Sequence, residues 1–269
     1  MFFFAPCLST ISFFVKHFMK GTKICFLAEN YISHENHFYE RFFVKHTFHY
    51  ANSFICESHY IYEEIKKDFP IKPIFETTLS IYDCYNLNRY DKDSAREFLN
   101  IKTSNVILFF GLIRPYKGLD KLLESFQSLL KDKPDTTLLI VGECYEDINK
   151  YKKIIQDLNI SNNIIMENHF IANEDVEPYF KATDAVIMPY YSATQSGILM
   201  MAYGFLVPVV ATNVGGIAEL IKNNETGLLI KDNNKENLLP AINKILETKQ
   251  TINYSDNIST FTHNLGYKN

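Results

Sequence analysis

The chain has 269 residues, 46% of them apolar and 22% charged, with a formal net charge of −4. This balance excludes a disordered or fibrous chain, and a pI near 6.1 argues against a general nucleic-acid binder. Cys7, Cys25, Cys56, Cys84 and Cys144 form no CxxC pair. Neither a disulfide framework nor a zinc knuckle is therefore expected; the cysteines read as small buried side chains of a reducing cytoplasm.

Residues 1–15 are apolar but lack a basic start and a small-residue cleavage site, and they contain Pro6. They read as a buried segment of a globular domain rather than a secretory signal. No stretch reaches the ~18 apolar residues of a membrane span. Strands are predicted at 23–28, 53–56 and 72–75, with helices at 38–50 and 58–68. These are two or three β/α units, about half of a Rossmann-like domain. A parallel sheet of that size leaves an open edge and an apolar face, so either the chain lacks its first strands or another segment or partner chain covers the edge. His34-Glu35-Asn36-His37 and His46-Thr47-Phe48-His49 do not have the HExxH spacing, and no metal is expected. His34 reads as a loop histidine near a substrate or as a plain surface residue.

Composition changes near residue 100. Gly21 is the one glycine before Gly111, and six of the eight histidines precede residue 60. The expected division is a partial first domain at 1–92, a second domain at 93–250 and a short tail at 251–269. A charged linker at 90–99 runs into a short helix, with Ser94 as N-cap and Glu97 closing a capping box.

From residue 105 strand and helix alternate. Strands are predicted at 106–110, 137–141, 164–166, 185–188, 208–211 and 227–230. Helices are predicted at about 119–130, 146–158, 173–182, 195–204, 215–222 and 234–247. Continuous apolar strands alternating with helices specify a parallel, doubly wound α/β sheet.

Ligands of such sheets bind beyond the carboxyl ends of the strands. The first loop there is Gly111-Leu112-Ile113-Arg114-Pro115-Tyr116-Lys117-Gly118. Two cations beside a helix start await an anion, or are two solvated side chains. The second, Ser192-Ala193-Thr194-Gln195-Ser196-Gly197, is an anion cradle of free amides or an ordinary Ser/Thr cap. In the third, Gly215 and Gly216 precede Glu219, which accepts a ligand hydroxyl or only favours its helix start. Together these loops suit a pyrophosphate. The dinucleotide GxGxxG and the P-loop GxxxxGK[ST] are both missing.

These three stretches, with Pro208-Val209-Val210-Ala211-Thr212-Asn213 leading into the third, resemble the nucleotide-binding domain of glycosyltransferase family 4, retaining enzymes of the GT-B fold. The first half resembles the end of that family's acceptor domain, with Ala28-Glu29-Asn30-Tyr31-Ile32-Ser33-His34-Glu35 as a post-strand loop. The resemblance implies two Rossmann-like domains, and a sugar moved from a nucleotide-diphosphate donor to a saccharide or lipid-linked acceptor in polysaccharide or glycolipid synthesis. No metal or other cofactor and no nucleic acid are implied. The implied location is the cytoplasm, including the inner face of the membrane. Arg114, Lys117, Thr194, Gln195, Ser196 and Gly197 would hold the diphosphate. Phe170, Ile171 and Met201 would lie on the nucleoside side, and Gly215, Gly216 and Glu219 on the sugar side or in a structural role. His34 joins Arg114 and Lys117 as a catalytic candidate.

Several positions depart from the family pattern. Leu112 stands in place of an arginine, Ala193 and Met201 in place of two glutamates, and Leu206-Val207 in place of Gly-Lys. The resemblance also implies a longer N-terminal portion, so this chain is expected to bind donor weakly and to transfer poorly. A non-catalytic nucleotide-sugar-binding subunit is the alternative reading.

Overall fold

The structure, a computed structural model, describes residues 4–31 and 38–265. By contacts the chain divides into two units, residues 1–79 with 193–195, and residues 80–192 with 196–269. The division lies at Leu79, ahead of residue 92.

The first unit contains α1 (Phe4–Phe18), β1 (Cys25–Ala28), α2 (Phe38–His49), β2 (Ser53–Cys56), α3 (His59–Asp68) and β3 (Ile74–Glu76). Its strands are parallel in the order β1-β2-β3, with Cys25 opposite Ser53 and Phe54 opposite Ile74. The core gathers Phe48, Phe54, Cys56, Ile61 and Ile65. The Ser58 hydroxyl caps α3 by accepting from the Ile61 amide. The expectation of a buried N-terminal segment is corrected. In α1 it is Ser9 and Ser12 that turn inward, while Leu8, Ile11, Phe13, Phe14 and Phe18 are exposed. Helix α1 packs against α2, and most of its bulky residues are left facing outward.

The second unit follows as α4 (Lys92–Phe98), β4 (Asn105–Phe110), α5 (Leu119–Asp132), β5 (Thr136–Val141), α6 (Ile148–Asp157), β6 (Ile164–Glu167), α7 (Glu177–Lys181), β7 (Ala185–Met188), α8 (Gly197–Gly204), β8 (Val209–Thr212), β9 (Gly227–Ile230), α9 (Lys235–Thr248) and α10 (Tyr254–Asn264). Its six strands are all parallel, in the order β6-β5-β4-β7-β8-β9. The order reverses between β4 and β7, which pair through Ile107↔Ala185 and Leu108↔Val186. Such a reversal is where loops diverge and leave a crevice. Residues 106–109 of β4 are fully buried, as a strand covered on both faces requires. Helix α5 packs Leu119, Leu122, Leu123, Phe126 and Leu129 inward at the predicted spacing.

Three local readings change. Asp91, not Ser94, is the N-cap of α4. The Ser94 amide donates to the Asp91 carboxylate at 2.8 Å, and the Ser94 hydroxyl accepts from the Asp91 amide at 3.0 Å. The helix predicted over 215–222 is a 3-10 turn, Gly215–Leu220. The stretch read as a tail holds α10, which buries Tyr254, Ile258 and Thr262. Among the described residues no helix is long and apolar enough to cross a membrane.

Candidate functional site

Strand β4 ends at Phe110, and Gly111 then takes a positive φ of 95°. A Cβ on Gly111 would stand 3.1 Å from Lys117 Nζ and 3.0 Å from Ile198 Cδ1. The bare glycine thus lets the Lys117 ammonium lie against the first turn of α8. Pro115 opens a 3-10 turn, Pro115–Lys117, closed by Gly118 in the left-handed region at φ 69°. A Cβ on Gly118 would lie 2.1 Å from the Pro189 carbonyl oxygen. Gly118→Ala is therefore expected to cost at least ~2 kcal/mol through the left-handed backbone and this contact. A lowered urea midpoint would register the loss, and an unchanged midpoint would refute the account.

Lys117 is 8% exposed. Its Nζ lies 5.5 Å from the Tyr190 ring centroid, and no acidic group lies within ion-pair distance of it among the described residues. Burial first, and the nearby Arg114 charge second, bring its pKa down to about 8. The Arg114 guanidinium lies 4.9 Å over the exposed Tyr145 ring. The two cations are thus near enough to repel, in a place where one of them has lost its water.

Tyr190 completes the arrangement. It follows β7 at the reversal of strand order and is itself buried, with its ring against Lys117; burial pushes its hydroxyl pKa upward. Ser196 is the N-cap of α8, but its side chain makes no capping hydrogen bond. With no acidic residue in the first turn, the start of α8 keeps the amide field that attracts anions.

The structure sets Lys117 beside Arg114 and near Ile198 in the first turn of α8, the helix that Ser196 and Gly197 open. Thr194 and Gln195 group instead with the first unit. There the Thr194 hydroxyl donates to Asn30 Oδ1, and the Gln195 amide donates to Glu57 at 2.7 Å. Phe170, after β6, is 69% exposed, whereas the adjacent Ile171 is buried. Met201 is buried in α8. Gly215 has a φ of 49°, Gly216 is buried, and Glu219 is exposed in the same turn. His34 lies outside the described residues. Among the described residues no group of three or more His, Cys, Asp or Glu side chains is arranged to hold a metal ion. Sequence reasoning missed Tyr190, whose signal was its place directly after an apolar strand and Pro189.

The family described as Glycosyl transferases group 1 matches residues 91–261. The chain is similar to a D-inositol 3-phosphate glycosyltransferase of Rhodococcus erythropolis, at 29% identity over 60% of this chain and 38% of the relative. It is also similar to the putative glycosyltransferase YtcC of Bacillus subtilis, at 26% identity over 77% of this chain and 56% of the relative. The chain thus spans about half the length of the curated relatives it matches, or less. Among solved structures it resembles Anabaena Alr3699/HepE in complex with UDP, with a TM-score of 0.80 at 17% identity over 97% of this chain and 72% of that one. It also resembles the sucrose-phosphate synthase of Thermosynechococcus elongatus, with a TM-score of 0.77 at 19% identity over 90% of this chain and 63% of that one. These likenesses assign the α/β fold of GT-B glycosyltransferases.

Proposed function

Because the chain belongs to the glycosyl transferases group 1 family, we propose that it serves the transfer of a hexose-type sugar from a nucleoside-diphosphate donor to a saccharide or lipid-linked acceptor, with retention at the anomeric carbon as in glycosyltransferase family 4. The reading rests on one observation above the rest. Lys117 is a buried cation with no acid paired to it among the described residues, set beside Arg114 and the start of α8. A buried charge in that state is costly, and a diphosphate would neutralise it. Arg114, Lys117 and the amides at Ser196 and Gly197 would hold the two phosphates, with Thr194 and Gln195 in the same loop. As the sugar–oxygen bond breaks, charge builds on the departing diphosphate, and these preorganised groups would stabilise it. Phe170, Ile171 and Met201 would flank the nucleoside, and Gly215, Gly216 and Glu219 the sugar. Donor and acceptor are the molecules the reading calls for, with no cofactor beside them.

A thermal-shift panel of UDP-, GDP- and ADP-sugars tests this, since a ligand of the folded state stabilises it by mass action. At least one donor is expected to raise the melting temperature; no shift from any of them at millimolar concentration would overturn the reading. The pH dependence gives a second test. In the free chain Lys117 titrates at about 8, and a bound anion raises that value, so the ligand selects the protonated form. Diphosphate affinity is expected to be flat below about pH 7 and to fall above pH 8, approaching tenfold per pH unit. Calorimetry in buffers of different ionisation enthalpy would show net proton uptake near pH 8. Affinity that holds constant from pH 7 to 9.5 would separate Lys117 from the ligand.

A further inference from the structure

We propose that the second unit carries another anion site, for phosphate or a small phosphate monoester, at the opposite end of its sheet. A cleft of about 750 Å3 opens there, lined by Ser104, Asp184 and Pro208, which immediately precede β4, β7 and β8. That volume is of small-molecule size.

The case is one of charge. Lys92, Arg96, Lys181 and Lys249 line the cleft against Asp91 and Asp184, a surplus of two positive charges. Neither carboxylate is at liberty to offset more. Asp91 is spent capping α4 through the Ser94 amide and hydroxyl. Asp184 accepts from Lys92 at 2.5 Å, from Arg96 and Lys249 at 3.1 Å each, and from the Val106 amide at 2.8 Å.

Part of this cluster is scaffolding. Arg96 and Lys249 also donate to backbone or amide oxygens of Ala182, Ser104 and Asn105. The remaining donors are less committed. Lys92 is 48% exposed, and among the described residues Asp184 is the one side chain it pairs with. Lys181, Gln250 and Ser255 line the cleft, and no side-chain hydrogen bond or ion pair engages them among the described residues. Three like charges gathered on one carboxylate, with a fourth near them, make a local positive field in a concave site, where field lines are focused. A dianion matches the surplus; a monocarboxylate meets half of it. Leu206, at φ 58° and partly exposed on the rim, offers an apolar flank to the carbon part of an ester.

The test uses the full chain at low ionic strength, where exposed charges are least screened. Inorganic phosphate, glycerol 3-phosphate and glycerol are titrated calorimetrically into the wild type, Lys181→Gln, and a double variant, Arg114→Ala with Lys117→Met, that closes the first anion seat. Lys181 and Ser255 stand outside the Asp184 ring, so Lys181→Gln and a companion Ser255→Ala are expected to melt as the wild type does. The double variant should still bind one phosphate or glycerol phosphate and no glycerol. Lys181→Gln introduced into that double variant should weaken binding at least fivefold. Tighter binding of glycerol 3-phosphate than of phosphate assigns the site to an ester, and equal binding assigns it to the free ion. No phosphate binding by the double variant, or an affinity untouched by Lys181→Gln, overturns the proposal. Neither result depends on whether the first seat takes a nucleotide sugar.

Discussion

Lys117→Met is expected to raise the melting temperature of the free chain and to abolish its affinity for nucleoside diphosphates. Methionine keeps the length and apolar stem of the side chain and removes the charge that burial penalises. The displacement of the Lys117 pKa from 10.5 to about 8 corresponds to a penalty on the order of 3 kcal/mol at neutral pH. At ~2–4 °C per kcal/mol for a domain of this size, the gain is several degrees. The sign follows from proton counts. Between pH 8 and 10.5 the unfolded chain holds the Lys117 proton and the folded chain does not, so the wild type gains stability as pH rises through that window. The variant lacks this gain, and the two melting curves should converge by about pH 10.5. Calorimetric scans from pH 7 to 10.5, paired with UDP titrations, check both halves. A melting temperature below the wild type's, or retained UDP binding, would contradict the assignment. Such an exchange of stability for binding is common where a site must hold a group poised for its ligand.

Asp184→Ala is expected to act in the other direction and strongly. The carboxylate is 1% exposed and receives Lys92, Arg96 and Lys249 as well as the Val106 amide. Its removal leaves three cations facing one another and orphans the amide at the head of β4. Loss of one partner from such a buried group costs ~3–5 kcal/mol, or roughly 10 °C or more in melting temperature. Burial alone would push the Asp184 pKa upward; the charge and hydrogen bond of Lys92, the Val106 amide and the Lys249 charge outweigh it and hold the carboxyl below its ordinary 3.8. Its stabilising effect is therefore complete above about pH 3.8 and is lost as pH falls through the lower folded value. Urea unfolding of wild type and variant at pH 7 and pH 3 gives the comparison. A difference at pH 7 below 1 kcal/mol would show that the ring is not the anchor described.

Much of the second unit could be read from its residues because their burial is simple. Residues 106–110 form an unbroken apolar run, and a strand covered on both faces leaves no other pattern. The stripe on α5 is equally plain. Other features depended on choices that periodicity does not make. Asp91 and Ser94 are both good caps three residues apart, and each serves the other, so composition could not say which comes first. The segment after Val214 has the composition of a helix, but six residues opened by two glycines are too few to repay a helical nucleus. Helix α1 is apolar because of residues that face outward, while Ser9 and Ser12 are the ones it buries. The two cations of the proposed diphosphate seat were visible because Arg114 and Lys117 are close in sequence. Tyr190 was not, since an aromatic after a buried strand looks like core until its ring is seen against the Lys117 ammonium.

The strand order has a consequence for assembly. Lys117 hangs from one side of the winding, built outward through β5 and β6, and Tyr190 with Ser196 from the other, built through β8 and β9. Within the sheet they meet along the short ladder Ile107↔Ala185 and Leu108↔Val186, to which the Val106 amide on Asp184 and the Tyr191 amide on the Tyr116 carbonyl add further ties. The proposed diphosphate seat thus belongs to neither wing alone, and an anion lodged there would clasp the two wings where the ladder between neighbouring strands is shortest.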